Sequence, residues 1–329
     1  MEDLSRMTCL RTLAAALCLL LFSPALHAGV PTYAERLGWD PGARVVMFHN
    51  DDAGMAREAN EGTIRSLEEG VVTSFSIMMP CGWVPEIAAY TRENPDVCAG
   101  LHLTLNSEWE PYRWRPVAGE AVPSLIDPDG YLWSSTAQVA EHADPDEVER
   151  ELRAQIGLAR DLGIPISHMD THMGALFGTP ELLERYIRVG VSEDIPVMMP
   201  AGHMTHVRRE QEDAMDLFEP HIGEIAERIW DAGLPLIDDI HTDNYGWDPD
   251  GVVEGFSEML RELEPGITVV IVHASASTPA FREYGDRRGI READLEAMID
   301  PRLAEVITEE GIELTTWREL HERRRALSE

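Results

Sequence analysis

Lysine is absent from this chain. All 27 basic residues are arginine, against 60 aspartates and glutamates, and the formal net charge is −33. Such a negative field repels nucleic acid and anionic membrane surfaces, so the composition argues against both as partners and favours neutral or cationic ligands. A solvated acidic surface is also typical of proteins that work at high salt, where screening shortens the repulsion between carboxylates.

The acidic surface predicts that the stability of the fold depends on salt. The Debye length falls from about 10 Å at 0.1 M salt to about 3 Å at 1 M, so repulsion among the carboxylates weakens. We therefore expect the free energy of unfolding in urea to increase between these two salt concentrations. Equal urea midpoints at the two concentrations would contradict adaptation to high salt.

Cysteine is scarce, with four residues in the whole chain. Cys9 and Cys18 lie in the N-terminal segment, whereas Cys81 follows one predicted strand and Cys98 opens the next. A strand of about six residues spans about 20 Å, and a disulfide needs Cα atoms within about 7 Å of each other. The spacing therefore predicts that Cys81 and Cys98 are free thiols, even in an oxidising compartment.

The longest apolar run is residues 13–22, which follows Arg6 and Arg11 and precedes small residues that end at Ala28. It is too short to span a bilayer and predicts a cleaved signal peptide, with an uncleaved anchor as the alternative. The predicted organisation is a signal peptide at 1–28, a lead-in at 29–43 and a single domain at 44–329. The mature protein is then exported, periplasmic or extracellular, without stable membrane insertion.

Short apolar runs alternate with amphipathic helical segments along the rest of the chain. The runs are continuous in hydrophobicity, which predicts strands buried on both faces of a parallel sheet. In one helical segment Asp144 can cap, Pro145 suits the first turn and Gly163 ends the helix. About eight such units favour an α/β barrel, closed or partly open, over a doubly wound sheet. The predicted strands are residues 44–50, 72–79, 97–104, 166–170, 195–199, 236–241, 267–273 and 312–317.

Polar side chains occupy the C-terminal ends of several predicted strands, where the active sites of parallel α/β folds lie. A single histidine there is usually a hydrogen-bonded residue of the barrel rim, and a single aspartate is often a helix cap. Their convergence at one edge predicts a catalytic site. The residues concerned are Asp51, Asp52, His102, the "HMDTH" motif at 168–172, His241 and His273.

The "HMDTH" motif has the composition of a metal site. Alternation along a strand would project His168, Asp170 and His172 to one face. Two imidazoles and a carboxylate, with other positions open, form a common catalytic site for a divalent metal, which lowers the pKa of water. Of Asp51 and Asp52, one could then ligate the metal while the other serves as general base. The alternative is that one caps the next helix and the other is only solvated.

In order and spacing, these motifs resemble the YdjC/ChbG-like carbohydrate deacetylases over roughly residues 44–320. The resemblance implies a distorted TIM-like (β/α) barrel. It also implies metal-dependent hydrolysis of a linear amide C–N bond, the removal of acetyl groups from N-acetylated sugars. The matching segments are "NDDAGMAREANEGTIRSLEEGVVTSFSIMM", "AGLHLTLN", "PSLIDPDGYLW", "ELRAQI", "PISHMDTHMG" and "VVIVHAS".

Carried over by motif position, the resemblance implies specific residues for the metal and the base. A divalent metal ion, zinc or magnesium, is expected on Asp52, His102 and His172. Asp51 is expected to be the general base. The implied partner is an N-acetylated oligosaccharide or glycan.

The resemblance also implies roles for three further residues. His273 matches the histidine that acts as general acid in related deacetylases. His168 and Asp170 are expected to orient the metal ligands or tune the base. The chain departs from the family pattern at Asn50 and Ala53, beside the acidic pair. It departs again after His172, where further histidines are missing, and at Ala274, where a proline is usual.

A long segment, residues 106–144, interrupts the alternation of strands and helices and is rich in aromatic residues and proline. A loop of this length in a compact domain is usually a lid or a binding loop. Trp109, Trp114 and Trp133 are therefore candidate substrate contacts that could stack on sugar rings, and His241 is a fourth candidate. The alternative is a hydrophobic cluster that only packs the loop against the domain.

Two other functions fit parts of the pattern. One is an exported metal hydrolase of another amide or ester bond. A phosphoester is disfavoured, because an acidic protein gains nothing from steering an anionic substrate. The other is a glycan-binding barrel without turnover, although the presence of both acids and both ligand histidines argues against it.

Overall fold

A computed structural model describes residues 30–110, 112–210 and 212–327, with the side chains of 211–219 excepted. The described residues from Thr32 onwards form one compact unit. The predicted signal peptide, 1–28, lies outside the described residues. None of the described helices is both long and apolar enough to cross a membrane.

The centre of the fold is a parallel sheet in which β1 is the longest strand and lies in the middle. Its spatial order is β4-β3-β2-β1-β6-β5, with the two-residue β7 paired to the start of β1. The apolar runs predicted as strands form most of it, usually over fewer residues. The strands are Arg44–Ala53 (β1), Ser74–Ile77 (β2), Ala99–Leu103 (β3), Met169–Thr171 (β4), Asp239–His241 (β5), Gly266–Val272 (β6) and Glu313–Leu314 (β7).

Helices follow the strands and cover the sheet. The capped helix predicted after Asp144 is present, and the Asp144 side chain accepts hydrogen bonds from the N–H groups of Asp146 and Glu147. The described helices are Tyr33–Arg36 (α1), Arg57–Glu68 (α2), Val84–Glu93 (α3), Thr136–His142 (α4), Pro145–Asp161 (α5), Pro180–Glu193 (α6), Thr205–Glu210 (α7), Glu212–Asp231 (α8), Val252–Glu262 (α9), Pro279–Tyr284 (α10), Ile290–Ile299 (α11), Pro301–Glu309 (α12) and Trp317–Ala326 (α13).

The sheet curls, which is consistent with a distorted barrel. Two isolated parallel bridges, Met169 with Val197 and Pro200 with Ile237, continue the pairing between β4 and the segment before β5. The prediction of a strand at 195–199 was wrong: this segment contributes only the bridge at Val197, and the second bridge follows at Pro200. Pro196 and Pro200 lack the N–H groups that a regular ladder requires.

The two faces of the sheet differ in polarity. We call the face that carries His49, Ser74 and Asp170 the inner face, since these side chains hydrogen-bond to one another or to shared partners. The outer face carries Phe48 and Val270, which pack with α9 in a hydrophobic cluster. Polar groups thus lie in a buried interior between strands, where each needs a hydrogen-bond partner.

Both described cysteines, Cys81 and Cys98, are free, as predicted, and the structure buries both.

Candidate active site

The C-terminal end of β1 presents two carboxylates to the same place. The register between β1 and β2 shifts between Asn50 and Ala53, and Asp52 has a left-handed backbone with φ of 63°. Such a bulge redirects side chains that would otherwise alternate between faces. Both Asp51 and Asp52 are buried, with 8% and 2% of their surface exposed.

Three side chains converge on one point beside this turn. Oδ1 of Asp52 lies 3.4 Å from Nε2 of His102 and 3.3 Å from Nδ1 of His172. The two histidine nitrogens are 3.1 Å apart. Among the described residues, Oδ1 of Asp52 is buried without a hydrogen-bond partner. The three atoms lie within the 4.8 Å that a single cation could bridge.

Asp170 fixes the orientation of His102 from below. One oxygen of its carboxylate lies 2.6 Å from Nδ1 of His102, and the other lies 2.7 Å from Nε2 of His49. His49 also contacts the hydroxyl groups of Ser74 and Ser76, at 3.0 and 3.1 Å. A carboxylate on Nδ1 leaves Nε2 of His102 to face the convergence point, as in metal sites with a supporting carboxylate.

Glu108, in the loop after β3, supports the second histidine in the same way. Its carboxylate lies 3.1 Å from Nε2 of His172, on the side of the ring away from Asp52. Burial lowers the pKa of His172, but the charges of Glu108 and Asp52 outweigh it and raise that pKa to about 9. The surrounding carboxylates therefore favour a positive charge at the convergence point, which a divalent cation would supply.

Arg291, on α11, neutralises part of this negative charge. Its guanidinium donates to Oδ2 of Asp52 at 2.7 Å, and both side chains are buried. Burial would raise the pKa of Asp52, but Arg291 and the two histidines hold it well below its usual value. Asp52 therefore stays ionised and keeps Oδ1 free as a ligand atom.

Asp51 and His273 face each other beside the metal cluster, which we define as Asp52, His102 and His172. Oδ1 of Asp51 lies 3.0 Å from Nε2 of His273, and Oδ2 lies 3.7 Å from Nε2 of His102. Burial and the charge of Asp52 raise the pKa of Asp51 well above its usual value. Burial and Arg291 lower the pKa of His273 well below its usual value. The pair is therefore suited to exchanging a proton.

His273 is held in place by α11 and by an aromatic ring. Its backbone N–H donates to Asp294 at 2.9 Å, and its imidazole packs against the Tyr245 ring with centroids 4.4 Å apart. Burial raises the pKa of Asp294 to about 7. The amide of Asn244 donates to both oxygens of the same carboxylate, at 2.9 Å.

The profile of the YdjC-like protein family matches residues 45–309, which includes every residue of this arrangement. This chain belongs to the YdjC-like family. Two relatives, from Thermus thermophilus and Thermoanaerobacter pseudethanolicus, are both named carbohydrate deacetylase. They are 32% and 24% identical to this chain over 88% and 83% of its length, covering 97% and 98% of their own.

One solved structure of similar fold comes from Enterococcus faecalis and is provisionally described as a cellobiose-phosphate cleavage protein. It matches with a TM-score of 0.68 at 22% identity, over 84% of this chain and 99% of its own. At this identity the likeness establishes the fold of the YdjC-like chain and nothing about its substrate.

The alternation predicted for the "HMDTH" motif holds only in part. His168 and Asp170 share the inner face, but β4 ends at Thr171 and His172 begins a 3-10 helix, His172–Phe177. His172 therefore reaches His102 through this turn rather than through strand periodicity. His168 lies beneath the cluster, where its ring stacks on Trp317 with centroids 5.2 Å apart.

The aromatic residues of the 106–144 loop mostly pack the loop against the domain. Trp114 is 3% exposed, and its Nε1 donates to the backbone oxygen of Asn106. Trp133 stacks on His142 with centroids 4.3 Å apart, and Trp109 packs against Phe281. The Trp114 ring also lies 6.3 Å from the His172 ring, so this packing borders the metal cluster. Substrate contact by the three tryptophans stays a prediction.

His241 is not brought to the metal cluster. It pairs in register with Val270, which places it on the outer face, opposite His49 and Asp170. Its Nδ1 lies 2.7 Å from Oε1 of Glu210.

Two departures from the family pattern, Asn50 and Ala274, contact each other. Oδ1 of Asn50 accepts a hydrogen bond of 2.5 Å from the backbone N–H of Ala274. A proline at position 274 has no N–H to donate. The two departures are therefore joined by a hydrogen bond, next to His273, that a proline at position 274 could not make.

The sequence did not predict four residues of the site, Arg291, Asp294, Glu108 and His49. Arg291 and Asp294 lie on a helix, at positions three apart that share a face, and no strand end marks them. Glu108 is one acid among many in a loop. A polar His49 two residues before Asp51, inside an otherwise apolar run, was a signal that could have identified the inner face.

Proposed function

We propose that this YdjC-like protein is a metal-dependent hydrolase that removes acetyl groups from N-acetylated sugars or oligosaccharides. The observation that carries the proposal is the metal cluster with the Asp51–His273 pair beside it, within 3.7 Å. The relatives named carbohydrate deacetylase support the choice of reaction and substrate class.

The metal would be held by Oδ1 of Asp52, Nε2 of His102 and Nδ1 of His172. This donor set, one carboxylate and two imidazoles, fits zinc and other first-row divalent ions and is compatible with magnesium. A divalent cation at this point supplies Lewis acidity toward the acetyl carbonyl oxygen and makes water at the site more acidic. Asp170 and Glu108 fix the two imidazoles through their other nitrogens.

Asp51 is the general base in this proposal. A cation on the metal cluster would lower the raised pKa of Asp51, so that its carboxylate would be ionised and could accept a proton from the attacking water. The 3.0 Å separation between Oδ1 of Asp51 and Nε2 of His273 then allows that proton to move to His273. From there it protonates the sugar nitrogen as the C–N bond breaks, so that water and the amide yield acetate and a free amine.

The proposal also includes the type of barrel and the location of the protein. The mature domain, residues 44–329, is a distorted TIM-like barrel, and the N-terminal 28 residues direct its export to the periplasm or the medium. N-terminal sequencing of the protein recovered outside the cytoplasm tests the second point. Recovery of the full chain from the cytoplasm alone would contradict export.

Acetate release is the decisive experiment for the function. The mature protein is incubated at high salt with a panel of N-acetylated oligosaccharides, with and without a chelator, and acetate is measured. The expected result is release from at least one sugar that the chelator abolishes and added metal restores. Failure of the folded, metal-loaded protein on every sugar would favour a different amide or ester bond, or glycan binding without turnover.

Glu108 should control metal affinity rather than the chemical step. Because its carboxylate orients His172, Glu108→Gln is expected to weaken metal binding by about 10–100-fold. Competition with a chromophoric chelator measures this without any assay of turnover. Glu110→Gln, two residues along the same loop and exposed, is the matched control and should bind metal as the wild type does. Equal metal affinities in the two variants would show that Glu108 does not support metal binding.

A further inference from the structure

A cavity lies outside the active site, between β5 and α9. It has a volume of about 420 Å³ and opens along the outer face of the sheet, whereas the metal cluster belongs to residues of the inner face and the strand ends. We propose that this groove binds a saccharide that carries free amines. Its walls come from α7, the end of β5, the segment after β5 and α9.

His241 forms a buried and unsatisfied part of the groove lining. It is 1% exposed, and among the described residues nothing hydrogen-bonds its Nε2. Its Nδ1 lies 2.7 Å from Glu210, whose carboxylate also accepts from the N–H of Thr242 at 2.7 Å. Because Nδ1 faces Glu210, Nε2 is the ring nitrogen left for a ligand. A buried nitrogen without a partner calls for one, and a ligand hydroxyl can supply it as a donor or as an acceptor.

Trp247 gives the groove a fixed aromatic wall. A Cβ atom at Gly255 would lie 2.6 Å from two atoms of the indole, so glycine alone lets the ring lie against α9. The indole also packs edge-on to Phe256, with centroids 5.0 Å apart, and lies 5.6 Å from the His241 ring. The fixed indole face lies beside the polar nitrogen of His241. This arrangement suits a sugar ring, which has an apolar face and hydroxyl groups at its edge.

The charge of the groove selects the kind of saccharide. Among the described residues that line the groove, Arg209 is the one arginine, and it lies 3.3 Å from Glu210. The carboxylates therefore outnumber the cations, which favours a cationic ligand over a neutral or anionic one. The lining acids are Asp243, Asp248, Glu254, Glu258 and Glu262.

The ligand class rests on the proposed function, because deacetylation of a glycan produces sugar units with free amines. The groove would then hold units that have already lost their acetyl groups, on the opposite face from the metal cluster. Such a ligand has no acetyl group to lose, so its binding can be measured without turnover. Failure of deacetylation and failure of this site are thus separate outcomes.

Calorimetric titration of the mature protein with a glucosamine trimer tests the site. We expect saturable one-to-one binding of the glucosamine trimer, with weaker binding of spermidine, which carries amines but no sugar ring. Gly255→Ala, which keeps every charge but displaces the indole, should weaken binding of the glucosamine trimer about tenfold. Urea unfolding of this variant checks that α9 is intact. Absence of saturable binding to the wild type would overturn the proposal, and so would equal binding of spermidine.

A pair of charge variants gives an independent readout. Glu258→Gln removes one carboxylate from the rim and should weaken binding of the trimer severalfold. Glu181→Gln, an exposed acid in the first turn of α6, is the matched control and should leave binding unchanged. Equal losses in both variants would indicate general attraction to an acidic surface and would contradict a defined site. Loss of binding in Asp51→Asn but not in Gly255→Ala would place the trimer at the metal cluster and also overturn it.

Discussion

Replacing Asp51 by asparagine is expected to lower kcat by about 10²–10⁴-fold, because an amide cannot accept the proton of the attacking water. Metal affinity should stay at the wild-type value, since Oδ1 of Asp52 and the two histidine nitrogens are untouched. The variant should be at least as stable as the wild type. Burial and the neighbouring charge of Asp52 make an ionised Asp51 unfavourable, as its raised pKa indicates.

The neighbouring residue provides the matched control. Asp52→Asn carries the same chemical change one position along, and asparagine tolerates the left-handed backbone found there. This variant should lose metal affinity first and activity as a consequence, and excess metal should restore part of the activity. Acetate release measured against metal concentration separates the two variants. Wild-type kcat in Asp51→Asn, or full rescue of that variant by metal, would refute the assignment of the base.

Replacing Arg291 by methionine is expected to reduce the free energy of unfolding of the metal-free protein by about 3–5 kcal/mol, the usual cost of breaking a buried ion pair. The guanidinium is buried and lies 2.7 Å from Asp52, so its removal breaks a buried ion pair and leaves His102 and His172 alone to compensate the charge of that carboxylate. Urea unfolding of the metal-free protein measures the loss. Added metal should recover part of it, because a bound cation replaces the missing positive charge.

Arg302 is the control for this experiment. It also pairs with carboxylates, but 56% of its side-chain surface is exposed. Exposed ion pairs contribute little to stability, so Arg302→Met should unfold at the wild-type midpoint. An Arg291→Met protein as stable as Arg302→Met, without metal, would show that Asp52 does not depend on the guanidinium.

The sequence predicted where most strands lie better than it predicted where each strand begins and ends. Continuous apolar runs correctly located β1 and β6, because strands covered on both faces must be apolar throughout. The same criterion failed at 195–199, where apolar residues lie between Pro196 and Pro200 and the backbone cannot donate a regular set of hydrogen bonds. An apolar run indicates that a segment is buried. Whether the buried segment is a strand depends on its backbone hydrogen bonds.

The candidate site was predictable where its residues follow strands and unpredictable elsewhere. Asp52, His102 and His172 lie together in the structure, and each is one residue from the end of a strand. Arg291 comes from a helix 239 positions after its partner Asp52, and no local pattern carries that information. His241 also ends a strand, but the register of β5 turns it to the outer face. A residue at a strand end can be placed at the edge of the sheet from the sequence. The face on which its side chain lies depends on how the strand pairs with its neighbours.

The left-handed backbone at Asp52 has a consequence for protein engineering. In a library randomised at this codon, most amino acids other than glycine, asparagine and aspartate would carry a backbone cost of about 1–2 kcal/mol, because φ of 63° is unfavourable for them. Of these three, aspartate alone brings a charged oxygen ligand. Attempts to change the metal preference by altering ligands should therefore begin at His102 or His172 and keep codon 52 fixed.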